Sequence, residues 1–227
     1  MDNAGITPRT ALLAGATGLV GRALLSMLLA SKHYRRVHVL LRRSAPDVKD
    51  NAKVEIHHVD FARLPAAFPT VDDVFIALGT TIKVAGSEAV FREVDFDFVV
   101  NVARAGKGAG ATRLAVVSAL GADADSRVFY NRVKGEMQTA IAQLGYESVV
   151  IAQPSLLLGD RAALGQPART GEIWAARLIA PLGWIVPKGV RPISARAVAS
   201  ALLTATLDAK PGVRILKSGA MQTRDQP

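Results

Sequence analysis

Tyr130 and Lys134 bound the run Tyr130-Asn131-Arg132-Val133-Lys134, and side chains four apart share one face of a helix. A free phenol titrates at about 10, and an ammonium beside it favours the phenolate, which brings proton transfer toward neutral pH. The pair therefore suits general acid/base work. A second group lies near the start of the chain, where Gly15, Gly18 and Gly21 recur at every third position between an apolar strand and an apolar helix. Gly15 permits a tight turn, Gly18 admits a pyrophosphate against the backbone, and Gly21 lets helix pack closely on strand. The amides of this turn and helix start, those of Thr17, Leu19 and Val20 among them, then meet phosphate oxygens.

The second strand ends in Leu41-Arg42-Arg43-Ser44, about 20 residues past the glycine turn, where a NAD-binding chain places an acid on the ribose hydroxyl. Two guanidiniums stand there instead. Their planar forks suit a 2′-phosphate, which makes NADP(H) the expected cofactor; a solvated strand end is the alternative. Asp60 follows the third strand, where it either meets an adenine amino group or caps a turn. Leu78-Gly79-Thr80-Thr81 closes the fourth strand at the edge where open α/β sheets bind ligands, although Gly and Thr also make ordinary turns.

These residues need a scaffold, and the chain supplies alternating strands and helices. After the opening unit, Arg36–Leu41, Lys53–Val59 and Val71–Leu78 read as strands, followed by a helix from Glu88 to Ala109 with Val90, Phe91, Val94, Phe98 and Val102 on one face. Arg113–Val117 is a fifth strand, Ser126–Leu144 a helix carrying Tyr130 and Lys134, and Glu147–Ala152 a sixth strand. The pattern predicts an α/β, Rossmann-type doubly wound parallel sheet. Beyond Pro154, glycines and prolines break the chain into short pieces, so residues 155–194 are expected to form a small C-terminal cap or substrate segment on a single domain spanning 1–227. Helices are expected at Glu172–Ile179 and Ala195–Ala209, and a last strand at Val213–Leu216. Trp174 and Trp184 line an apolar substrate pocket, form a subunit contact in a homodimer, or pack beneath the cap.

Composition narrows the function classes. Among 227 residues there is no cysteine, which excludes disulfides, thiolate metal sites and a cysteine nucleophile and fits a cytoplasmic setting. The four histidines carry no metal signature, and His57 and His58, strand neighbours facing opposite ways, cannot share one ion, so no metal site is expected. The formal charge is +9, yet the basic residues are scattered without aromatic interleaving, so nucleic acid is not the expected partner. Ala11–Ala30 is apolar, but three glycines and Arg22 interrupt it, and no membrane span is expected.

The glycine spacing resembles that of the short-chain dehydrogenase/reductase superfamily. The fuller set is more specific: Gly-Ala-Thr-Gly-Leu-Val-Gly, Leu-Gly-Thr-Thr, Val-Val-Ser-Ala-Leu-Gly-Ala-Asp, Tyr-x-x-x-Lys-Gly-Glu and Gln-Pro-Ser-Leu-Leu-Leu-Gly-Asp-Arg. From about Ala11 to Leu207 the chain resembles the atypical short-chain reductases related to Tat-interacting protein. That resemblance implies a Ser-Tyr-Lys catalytic set carried by Ser118, Tyr130 and Lys134, and a nicotinamide flanked by Pro154. It also implies that Lys134 holds the nicotinamide ribose while Ser118 hydrogen-bonds the oxygen of a small-molecule carbonyl substrate. Two positions depart from the usual pattern: Ala119 follows Ser118 where many relatives have a second serine, and Gln153 precedes Pro154 where arginine is common. The expected activity is an NADP(H)-dependent oxidoreductase, with epimerase or dehydratase chemistry on related machinery still open. The alternative is a regulatory protein that senses NADP(H) without catalysis.

Overall fold

In strand β1 (Arg9–Ala14) the Ala-Leu-Leu-Ala run is buried throughout, because helices cover both faces of the sheet and no alternation is needed. The computed structural model describes residues 7–50, 52–65, 67–158 and 190–222. After β1 come α1 (Leu19–Ala30), β2 (Tyr34–Leu41), β3 (Val54–His58), β4 (Asp73–Ile76), α2 (Ile82–Ala85) and α3 (Glu88–Arg92). A π-helical turn (Glu93–Asp97) then leads into α4 (Phe98–Gly108), β5 (Arg113–Val117), α5 (Phe129–Ala142) and β6 (Ser148–Gln153). The described chain finishes with β7 (Leu157–Leu158), β8 (Ile193–Ser194), α6 (Ala195–Leu207), β9 (Gly212–Lys217) and α7 (Ser218–Gln222).

The main sheet has seven strands in the order β3-β2-β1-β4-β5-β6-β9, and every neighbouring pair is parallel. Strand order reverses between β1 and β4, which opens a crevice at their carboxyl ends. On one face Leu24 and Leu28 of α1 pack with Val198 and Leu202 of α6. On the other, Phe98 and Val102 of α4 join Met137 and Ile141 of α5. The Rossmann-type sheet expected from the sequence is the architecture observed, with element ends shifted by a few residues.

One expected helix differs in its interior. The run from Glu88 to Gly108 stays helical, but the π-turn at Glu93–Asp97 inserts an extra residue into the ladder. Phe91, Phe98 and Val102 are buried as expected, whereas Val90 is 41% exposed and faces the crevice, so the predicted single stripe is broken. The expected helix at Glu172–Ile179, Trp174, Trp184 and most of the predicted cap lie outside the described residues; its described margins pair as β7 and β8.

The amino edge of the sheet is tied by a buried carboxylate. Arg9 donates to both oxygens of Asp73 at 2.6 and 2.7 Å, and the Tyr34 hydroxyl donates to Oδ2 at 2.8 Å. This joins the starts of β1, β2 and β4, at the end opposite the crevice. Burial, reinforced by the Asp73 charge, pushes the Tyr34 phenol well above its usual range.

Candidate active site

The glycine turn has the geometry its spacing predicts. Gly15 has φ +91°, and a Cβ there would lie 2.5 Å from the Ala77 carbonyl. A Cβ on Gly21 would fall 1.9 Å from the Gly15 oxygen, so helix and turn touch backbone to backbone. Gly18 differs: the nearest atom to its Cβ position is 3.5 Å away, so the protein itself does not demand glycine there. Gly18 caps α1 without any side-chain acceptor, and the first turn holds no acid, which suits the first amides to an anion.

A cleft of about 520 Å³ opens beside this turn. It brings together Gly15, Thr17 and Gly18 with Arg42 and Arg43 from the end of β2 and Leu78, Gly79 and Thr80 from the end of β4. Both arginines are exposed at its rim. Volume and uncapped helix start together fit a dinucleotide. Leu19, Val20 and Gly21 lie just inside α1, behind the lining. Asp60 is exposed, and its Oδ1 accepts the Ala62 amide at 2.9 Å, the turn-capping alternative, while its neighbour Phe61 lines the cleft. Thr81 Oγ1 caps α2 by accepting the Val84 amide.

Tyr130 occupies the first turn of α5, half-buried, with its ring centroid 5.3 Å from that of Phe91. Lys134 follows one turn later and is only 4% exposed. Its Nζ stands 2.7 Å from Oδ1 of Asp95, a fully buried carboxylate on the π-turn. The other oxygen, Oδ2, accepts the Thr80 amide at 2.8 Å. Asp95 thus joins the β4 loop to the lysine. A Cβ on Gly79 would lie 3.2 Å from Asp95 Oδ1, which gives this glycine a structural reason beyond ligand access. The sequence reading missed Asp95. Its signal was a charge between Phe91 and Phe98 on an otherwise apolar stripe.

Ser118 follows β5 and is 5% exposed. Gln138, one turn beyond Lys134 on α5, donates from Nε2 to Ser118 Oγ at 2.6 Å, and Gln153 donates to Gln138 Oε1 at 3.2 Å. Gln153, the departure from the usual arginine, therefore belongs to a buried polar chain ending on the serine. Pro154 is buried, and its carbonyl accepts the Leu120 amide at 2.9 Å, which ties the loops after β5 and β6. Gly135 lets α5 approach the loop after β5, since a Cβ would lie 2.1 Å from backbone of Asp123 and Ala124. That close approach holds Tyr130 beside the serine loop.

Residues 15–154 match a family of NAD(P)H-binding domains. The chain is 37% identical over 153 residues to the mitochondrial protein FMP52 of Eremothecium gossypii, covering 66% of this chain and 67% of that one. It is 33% identical over 175 residues to protein HTATIP2 of the rat, covering 74% and 69% respectively. Among solved structures, the Bordetella bronchiseptica enzyme WbmG in complex with NAD superposes with a TM-score of 0.67 at 15% identity, over 96% of this chain and 75% of that one. Among the described residues no helix is long and apolar enough to cross a membrane.

Proposed function

Because the chain belongs to the NAD(P)H-binding family, we propose that it is an NADP(H)-dependent oxidoreductase acting on a small carbonyl substrate. The observation that carries this reading is the hydroxyl of Ser118. With Gln138 donating into its oxygen at 2.6 Å, the Ser118 O–H is left to donate to a substrate oxygen. Tyr130, in the first turn of α5, is assigned the proton: its hydroxyl delivers it to that oxygen as the carbonyl becomes an alcohol. NADPH, when bound, supplies the hydride.

The other residues bind and orient. Arg42 and Arg43 hold the 2′-phosphate through charge-assisted hydrogen bonds, and the first amides of α1 meet the pyrophosphate. Lys134 forms a close ion pair with Asp95, and its ammonium N–H donors serve the nicotinamide ribose and favour the Tyr130 phenolate. Asp95 offsets the ammonium charge, so the lysine stays buried and ordered at the crevice floor.

The test follows nicotinamide absorbance for wild type and Tyr130→Phe against a panel of aldehydes and ketones. Turnover should fall by about 10²–10⁴, the span general acid catalysis contributes, with NADPH affinity retained. Turnover unaffected by the substitution would remove Tyr130 as proton donor, and tight NADPH binding without turnover on any substrate would replace catalysis with cofactor sensing. Arg42→Ala should weaken NADPH about tenfold or more, the scale of one lost charge-assisted bond, and NADH much less. Equal losses would overturn the 2′-phosphate assignment.

A further inference from the structure

His38, Glu55 and His57 converge on the outer part of the sheet, away from the acid/base residues. His38 on β2 pairs directly with Glu55 on β3, and His57 lies two residues further along β3, so strand alternation puts all three side chains on one face. Their donor atoms are close: His38 Nδ1 lies 2.9 Å from His57 Nε2 and 3.6 Å from Glu55 Oε2, and His57 Nε2 lies 3.5 Å from Glu55 Oε1. Ligands at 2.0–2.1 Å from a tetrahedral zinc are separated by about 3.3–3.4 Å. The three spacings bracket that value.

From this geometry we propose that His38, Glu55 and His57 form a site for a divalent transition-metal ion, zinc by the chemistry of its two imidazoles and one carboxylate. Three protein ligands leave the fourth position to water. Access and anchoring are both present. His38 is 3% exposed, His57 22% and Glu55 41%, so the site opens outward from a buried base. The Phe68 ring stands edge-on to His57, with centroids 6.4 Å apart, and Arg36 donates to Glu55 Oε2 at 2.8 Å, which orients the carboxylate. Coordination needs each ring to carry its proton on the nitrogen facing away from the ion.

In the absence of metal the 2.9 Å contact is a hydrogen bond between two neutral imidazoles, and that arrangement is the competing explanation. The two are separated by treating the full chain with a chelator and titrating it with zinc by calorimetry and with cobalt(II) by visible absorption. One ion per chain should bind with micromolar or tighter affinity, cobalt should give intense tetrahedral bands, and both signals should weaken at least tenfold in His57→Phe and Glu55→Gln. His58→Phe, on the opposite strand face, should bind as wild type does. Absence of stoichiometric binding to wild type, binding that survives in both His57→Phe and Glu55→Gln, or loss in His58→Phe would overturn the site. Because the Glu55 side chain is partly exposed and Gln is isosteric with it, Glu55→Gln remains informative should His57→Phe fold poorly.

Discussion

Asp95→Asn tests whether the buried Asp95–Lys134 pair holds the crevice floor together. The substitution keeps an oxygen acceptor for the Thr80 amide and replaces the charged oxygen 2.7 Å from the Lys134 ammonium by a neutral NH2 group. Both side chains are nearly inaccessible, so water cannot replace the lost partner. Breaking one half of such a pair costs about 3–5 kcal/mol, and the retained Thr80 bond places this case near 3 kcal/mol. For a chain of 227 residues each kcal/mol corresponds to about 2–4 °C, so Tm should fall by roughly 6–12 °C. Lys134→Met should cost a comparable amount, whereas the double variant buries no charge and should recover about 1 kcal/mol or more relative to additivity. Thermal and urea unfolding of the four proteins measures this. A Tm loss below about 2 °C in Asp95→Asn, or an additive double variant, would refute the argument.

Gly21→Ala places a Cβ 1.9 Å from the Gly15 oxygen and should lose more than about 3 kcal/mol of stability or prevent soluble expression, while Gly18→Ala should fold normally and lose cofactor affinity. Equal Tm values for the two variants, with cofactor binding intact in both, would contradict those assignments. Asp73→Ala strips the partner from Arg9 and Tyr34 and should cost about 3–5 kcal/mol in urea unfolding without altering NADPH affinity, because the network lies at the opposite sheet edge. Burial raises the Tyr34 and Tyr146 phenols above 10 in the folded state, so above that pH the unfolded chain loses protons first and stability falls as pH rises. The limiting slope is about 1.4 kcal/mol per pH unit for each tyrosine. Tyr146→Phe should therefore unfold less steeply with pH above 10, and a slope identical to wild type would rule out this source of alkaline lability.

The glycine turn was legible in the sequence because its physics is local: the three glycines contact atoms of their own strand, turn and helix or of the adjacent β4 end. The shared face of Tyr130 and Lys134 was legible for the same reason, since four residues make about one helical turn. Alternating strand and helix patterns likewise implied the parallel sheet, which the order of its strands bears out. Tertiary structure decided what those residues meet. The π-turn, invisible to a 3.6-residue periodicity, swings Asp95 against Lys134 and Thr80. Gln138 reaches Ser118, and Gln153 reaches Gln138, only because β5, β6 and α5 are neighbours in space. His57 was read against its neighbour His58, but its partners are set by the pairing of β2 with β3, which brings His38 from a distant part of the chain. Spacing along a chain determines which side chains share an element's face, whereas strand order and packing determine which faces come together.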